Sequence, residues 1–235
     1  MPSVSADNLQ QLFAEVPKTY ERLNHILTLG LDVGWRKRAA RIAARGGGNR
    51  WLDVCSGTGE MAVLLARHAP GNTELHAVDF SPEMLAEAKK KPEAKRITFH
   101  VADVKTLPFE DRSFDLVTIS FATRNLNTSR DALVKAFAEF HRVLRSGGRF
   151  VNLETSQPTC VRMRRCFHAF VRLFVEPIGG RVSGSRRAYA YLARTIPRFY
   201  GAEELADIMR DAGFAHVRFE RLLFGAAAVH TAVRE

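Results

Sequence analysis

Apolar positions change period several times along the chain, and each change marks an element. From about Ala6 to Arg45 they recur at helical spacing, with breaks near Pro17 and Gly30 and an end at Gly46-Gly47-Gly48. Short apolar runs and amphipathic stretches then alternate. Arg50–Val54 (RWLDV) predicts a buried strand and Glu60–His68 a helix; Glu74–Asp79 predicts a strand, and Pro82 to about Lys91 a helix. Ile97–Ala102 alternates like a strand and Phe114–Ser120 (FDLVTIS) predicts another. A helix follows from Asp131 to Leu144, and Gly148–Leu153 predicts a fifth strand.

This βαβαβ order predicts a parallel sheet with helices on both faces, binding ligands beyond the carboxyl ends of its strands. After the fifth strand the pattern changes. Cys160 to Ile196 predicts two helices around a glycine-rich break, Gly179-Gly180 to Gly184. A helix at Ala202–Ala212 is ended by Gly213, and strands His216–Leu222 and Ala227–Val233 close the chain as an antiparallel pair around Gly225. The expectation is an α/β, Rossmann-like, mostly parallel seven-stranded sheet with an antiparallel last strand. Residues 1–235 then form one domain: an N-terminal helical segment (1–45), a cofactor-binding core (50–155), a helical substrate cap (158–200) and a closing helix with its strands (201–235).

Composition narrows the classes. No apolar run approaches the roughly 20 residues that span a bilayer. MPSVSADNLQ lacks the basic start and apolar stretch of a secretory signal, so the cytoplasm is the expected compartment. Cys55, Cys160 and Cys166 show no metal-ligand spacing and read as reduced thiols, with no metal expected. The net charge of +10 is uneven: Cys160 to Arg198 holds nine arginines, no lysine and one acid, Glu176. Such an excess attracts polyanions or forms a solvated arginine-rich surface. No nucleic-acid-binding module is evident, and no nucleic-acid partner is expected.

The ends of the first four strands carry ligand-type groups. Asp53-Val54-Cys55-Ser56-Gly57-Thr58-Gly59 leads from the first strand into a helix, and its small residues let a ligand approach the backbone. Asp79, followed by Phe80, ends the second strand, where a carboxylate accepts from ribose hydroxyls; the alternative is a cap for the helix at Ser81-Pro82. Asp103-Val104 follows the third strand, where an acid and a backbone N–H suit an adenine edge. Ser120 ends the fourth. From about Trp51 to Leu153 this series resembles the class I S-adenosylmethionine methyltransferases. The resemblance implies S-adenosyl-L-methionine as cofactor and S-adenosyl-L-homocysteine as product.

The flanks narrow the likeness. Tyr20-Glu21-Arg22-Leu23-Asn24 through Trp35, Ser120-Phe121-Ala122-Thr123-Arg124-Asn125, Arg142–Arg149 leading to Leu153–Pro158, Tyr189–Ala193 with Ile196, Asp211–Phe214 and His230 resemble stretches of the ubiquinone/menaquinone biosynthesis C-methyltransferase family. The chain departs from that pattern at Asp32 (usually His), Ser146 (Pro), Thr155 (aromatic) and Pro197–Tyr200. The resemblance implies methyl transfer to a ring carbon of a reduced isoprenoid quinone precursor; another phenolic, isoprenoid or amine acceptor is the alternative. It points to Arg124 and Asn125 as catalytic residues and to Tyr20, Tyr189 and Tyr191 as substrate-binding. Arginine is a poor base, so Arg124 would orient the acceptor and stabilise its developing charge. His25 and His141 read as surface or structural residues and Cys55 as a turn residue. The basic amphipathic stretch bearing Arg162, Arg165 and Arg172 suits either packing on the fold or the inner face of an anionic membrane. The oligomeric state stays open, a homodimer included.

Overall fold

The computed structural model describes residues 17–183 and 185–235. The helix start expected at Ala6, Gly184 and the side chain of Tyr20 lie outside the described residues. Helix α1 (Pro17–Leu27) and helix α2 (Leu31–Ala44) meet at Leu29 and Gly30, both left-handed. The core follows as β1 (Arg50–Val54), α3 (Glu60–His68), β2 (Glu74–Asp79), α4 (Pro82–Ala88), β3 (Ile97–Val101) and β4 (Phe114–Ser120). Then come α5 (Thr123–Leu126), α6 (Arg130–Val143) and β5 (Leu144–Thr155). The cap comprises α7 (Val161–Phe170), a π-helical turn (Val171–Val175), α8 (Glu176–Ser183) and α9 (Arg186–Thr195). The chain closes with α10 (Ala202–Asp211), β6 (Ala215–Leu222) and β7 (Ala227–Val233).

The seven strands lie in the order β3-β2-β1-β4-β5-β7-β6. β1 to β5 pair in parallel, and β7 runs antiparallel between β5 and β6. The order reverses between β1 and β4, so the loops after these two strands flank the crevice where ligands bind in such sheets. Strand alternation divides the core. Leu52, Val54, Val117 and Ile119 face α6 and α10 residues such as Phe137, Phe140 and Leu205, while Trp51 and Leu116 face Ala39, Ala43, Met61 and Leu65 of α2 and α3. A third cluster joins Leu23 of α1 to Val171, Val175, Tyr189 and Leu192, which fastens the cap to the N-terminal helices. Among the described residues no helix is long and apolar enough to cross a membrane.

Three elements differ from expectation. β5 begins at Leu144 because Leu144 pairs with Phe114 before residues 145–148 bulge out and pairing resumes at Leu116 and Arg149. Gly179-Gly180 does not break the cap, and helix continues to Ser183. A Cβ at Gly179 would lie 2.1 Å from Cγ of Tyr189, so this glycine admits the Tyr189 ring against the α8 backbone. α5 is a four-residue turn too short to carry a periodic signal.

Candidate active site

The loop from β1 to α3 is built on close approach. A Cβ on Gly59 would lie 2.9 Å from Cβ of Ala88 in α4, whereas one on Gly57 would meet nothing within 4 Å. Gly59 thus packs loop on helix, and Gly57 leaves the outer side open. Cys55 (φ 51°) and Phe121 (φ 54°) both take left-handed backbone, at the ends of neighbouring strands β1 and β4. That conformation is costly for such side chains and collects at ligand sites.

The expected cofactor residues all lie along the carboxyl ends of β1 to β4. Asp79 is buried and accepts from the backbone N–H groups of Gly57 (2.8 Å) and Ser81 (2.9 Å), tying two strand-end loops together. Burial pushes its carboxyl up, against the pull of these N–H groups. The helix cap is Ser81 itself, whose Oγ accepts from Met84 N at 3.2 Å. Asp103 is exposed and accepts from Lys105 N at 2.9 Å, while Val104 is buried in the core. Phe80 and Ser120 are half-buried, and Thr58 is buried.

Asp53 is 1% exposed, and Thr118 Oγ1 donates to its Oδ1 at 2.6 Å. Its Oδ2 and the nearby Ser56 Oγ are buried without a hydrogen-bond partner among the described residues. Burial pushes the Asp53 carboxyl up to about 7, with the Thr118 bond opposing and the charge of Asp79 reinforcing. Burial also pushes the Cys55 thiol well above its usual range, and Asp79, Asp53, Asp103 and Glu154 all act on it in the same direction. Acids from four strand ends therefore converge on one point. Open space over Gly57, orphaned acceptors and a field of one sign fit a polar ligand that carries positive charge.

Beside these loops lies a cavity of about 460 Å³ with mainly apolar walls, between the N-terminal helices, the cap and the ends of β4 and β5. Phe121, Trp35, Phe167, Val171, Val175 and Leu192 line it, and the π-helical turn aims both valines inward. Arg124 and Thr155 supply polarity at one side. Arg124 is buried and fixed three ways: Nη1 donates to Glu154 Oε1 (3.1 Å) and Thr155 Oγ1 (3.3 Å), and Nε donates to Thr195 Oγ1 (3.2 Å). Its backbone N–H donates to Glu154 Oε2 at 3.0 Å. Among the described residues Nη2 makes no hydrogen bond, so one donor of a clamped, permanently charged group remains available.

The other expected residues stand further back. Asn125 does not line the cavity, and its Oδ1 is buried without a hydrogen-bond partner among the described residues. Tyr189 is packed in the cap core against Gly179, and Tyr191 is half-buried beside the Arg124–Glu154 pair, which acts on its phenol. Neither tyrosine lines the cavity. Tyr191 contributes through its carbonyl, which accepts from Thr195 Oγ1 at 2.9 Å.

A second polar group at the cavity wall escaped the sequence reading. Asp32 is buried and accepts from Arg36 Nη1 (2.6 Å), Thr28 Oγ1 (2.7 Å) and His25 Nδ1 (2.8 Å). Burial raises its carboxyl, but the Thr28 bond and the Arg36 charge outweigh it and hold the carboxyl low. Arg36 also reaches Glu60 Oε2 at 3.0 Å and lies 4.9 Å from the centre of the Phe121 ring. The helix pair Asp32–Arg36 has a legible i, i+4 spacing. Its bond to Glu60, the first residue of α3, has no sequence signal.

The pattern of the ubiE/COQ5 methyltransferase family matches residues 1–234. A demethylmenaquinone methyltransferase of Thermus thermophilus is 39% identical over 225 residues, 95% of this chain and 100% of that protein. A ubiquinone/menaquinone biosynthesis C-methyltransferase of Citrifermentans bemidjiense is 34% identical over 236 residues, 99% of this chain and 98% of that protein. Among solved structures, a methyltransferase of Thermotoga maritima described as a possible histamine N-methyltransferase superposes with TM-score 0.63 at 20% identity, covering 97% of this chain and 100% of that one. The phosphoethanolamine N-methyltransferase 2 of Haemonchus contortus, solved with S-adenosyl-L-methionine, gives TM-score 0.57 at 18% identity over 84% of this chain and 52% of that one. Such structural likeness speaks for the fold alone, whereas the sequence match runs end to end: the chain belongs to the ubiE/COQ5 methyltransferase family.

Proposed function

We propose that this enzyme transfers a methyl group from S-adenosyl-L-methionine to a ring carbon of a reduced isoprenoid quinone precursor, a demethylmenaquinol or related benzoquinol. The observation that carries the reading is the clamped Arg124 on the wall of a large apolar cavity beside the acidic strand ends. The names of the full-length relatives point the same way. When bound, S-adenosyl-L-methionine supplies an electrophilic methyl on a sulfonium and leaves as S-adenosyl-L-homocysteine. Asp79 accepts from the backbone at Gly57, Ser81 and Phe80 and keeps lone-pair capacity beyond these for a ribose hydroxyl. Asp103 and the backbone of Val104 hold the adenine. Asp53, Ser56 and the loop through Gly57, Thr58 and Gly59 take the charged end, with Phe80 and Ser120 at the margins.

The apolar walls hold the isoprenoid body and exclude water. Arg124 stabilises a ring hydroxyl as it gives its proton to solvent and becomes phenolate, which raises electron density on the adjacent carbon; once that carbon has taken the methyl from sulfur it releases its own hydrogen as a proton, and the aromatic hydroquinol returns. Glu154, Thr155 and Thr195 keep the guanidinium in place, and Asn125 supports the same turn. The tyrosines act behind the wall, and residues 158–200 work as the substrate cap. A reduced ring is required, because an oxidised quinone has no hydroxyl to ionise. The enzyme sits on the cytoplasmic side, peripheral to the membrane that stores such compounds.

The test mixes purified protein, labelled cofactor and paired reduced and oxidised quinones, with product position read by mass spectrometry and NMR. Transfer to carbon of the quinol alone is the expected result. Transfer to oxygen, or turnover only with an unrelated phenol or amine, would overturn the acceptor and leave the methyltransferase class intact.

A further inference from the structure

The cavity opens onto a surface that water should disfavour. Its rim comes from three segments distant in sequence: Leu29 at the α1–α2 turn, Met163 and Phe170 in the cap, and Leu223 and Phe224 at the β6–β7 hairpin tip all line it and are exposed. Ile26, Leu173 and Phe174 are exposed in the same segments, Phe174 against Phe170. Leu29 is 84% and Phe224 72% exposed. Leu29, Leu223 and Phe224 also take left-handed backbone (φ 53°, 43° and 55°), so strained conformations hold apolar side chains outward. Converging large apolar residues mark an interaction surface. Charge indicates its partner. Arg162, Arg165 and Arg172 are exposed on the same cap helix and pair with no carboxylate among the described residues; the segment's one acid, Glu176, pairs with Arg186.

We propose that this three-part rim inserts into an anionic lipid leaflet, so that the cavity opens into the bilayer and takes its acceptor from there. The rim supplies the apolar contact and the arginines reach lipid headgroups, the division of labour of an interfacial helix. The inference rests on the quinol reading for what enters, but binding to lipid is measurable without any acceptor. It extends the basic-helix expectation in two ways: the surface includes the N-terminal turn and the closing hairpin, and it surrounds the cavity mouth.

The test uses residues that do not line the cavity: a Leu173→Ser/Phe174→Ser variant and an Arg162→Gln/Arg165→Gln/Arg172→Gln variant. Co-sedimentation is measured with phosphatidylglycerol–phosphatidylcholine vesicles and with phosphatidylcholine alone. The parent should bind the anionic vesicles and release as salt is raised. The triple variant should lose about a hundredfold in vesicle affinity, at the usual contribution of each cation near such a surface. Both variants should methylate a short-tailed, water-dispersed quinol at the parent rate and lose activity on a long-tailed quinol embedded in vesicles. Equal parental binding to both vesicle types, or none to either, would overturn the proposal. So would a parental dimer in sedimentation velocity that the Leu173→Ser/Phe174→Ser variant splits, since the face would then join two copies. Failure on the short-tailed quinol with intact vesicle binding would count against the acceptor and not against the surface.

Discussion

Asp79 joins a structural role to the ligand role proposed for it. Two of its lone-pair sites hold the N–H groups of Gly57 and Ser81, so the carboxylate is oriented before any ligand arrives. Asp79→Ala should weaken S-adenosyl-L-homocysteine binding at least about tenfold, since each hydrogen bond to a charged group contributes roughly 1.5–3 kcal/mol. Titration calorimetry on a folded variant checks this, and unchanged affinity would remove Asp79 from the site. Arg124 makes a different demand. Its fork serves Glu154, Thr155 and Thr195 at once, which a lysine ammonium cannot do from one point. Arg124→Lys should therefore lower kcat by about a hundredfold, the range for losing a preorganised donor. Cofactor affinity should move much less, because Asp53, Asp79 and Asp103 make no bond to the fork. A matched loss in both would mean that Arg124 organises the whole site and does not act on the acceptor.

At the scale of elements, burial on two faces made the sheet legible. Arg50–Val54, Glu74–Asp79 and Phe114–Ser120 read as short apolar runs between turns and form strands at those bounds. The polar groups at their ends, Asp53, Asp79 and Ser120, were legible too, because a strand end and its side chains are local in sequence. Contacts between distant segments were not. Glu154 is part of a motif, but its bond to Arg124 spans 30 residues, and the Glu60–Arg36 pair joins α2 to the start of α3 beyond the first strand. Gly179-Gly180 shows the limit best. Two glycines argue for a break by propensity, yet the helix continues, because what the site needs is room for Tyr189. Gly179→Ala isolates that reason. In an exposed helix the change would stabilise by about 1 kcal/mol. Here the new Cβ would sit 2.1 Å from a buried ring atom, and overpacking of a well-filled core costs typically about 1–3 kcal/mol. Thermal denaturation should show a lowered Tm; a raised Tm would mean that the cap yields freely and that propensity governs the position.

For the molecule as a whole, two buried groups on different strands set opposing responses to pH. His230, on β7, donates Nε2–H to the carbonyl of Ala202 at 2.9 Å; burial pushes its imidazole down to about 4, the Ala202 bond opposing and the Arg221 charge adding to the push. Above about 6.5 it is neutral both folded and unfolded, and its contribution is complete. As pH falls from 6.5 to 4 the unfolded chain binds a proton that the fold refuses, so stability is lost, by up to about 3 kcal/mol. Asp53 runs the other way. Its carboxyl is pushed up to about 7 when folded, against an ordinary value of 3.8, so the fold binds the extra proton across that window and acidification stabilises. The two share no hydrogen-bond partner, so their effects should add. Removing either group should therefore tilt the Tm profile of the intact protein between pH 7 and 5, and the two in opposite directions. Asp53→Asn, which keeps an acceptor for Thr118, should make Tm fall more on acidification than it does in the intact protein. His230→Gln, which keeps a donor for Ala202, should make it fall less or rise over the same range. Calorimetric scans of the three proteins between pH 7 and 5 decide the matter. Parallel curves for all three would mean that neither group governs stability in this window. The sign of the Asp53 slope fits its place in the proposed cofactor site: the carboxyl makes the fold less stable at neutral pH, and positive charge placed beside it would relieve that cost.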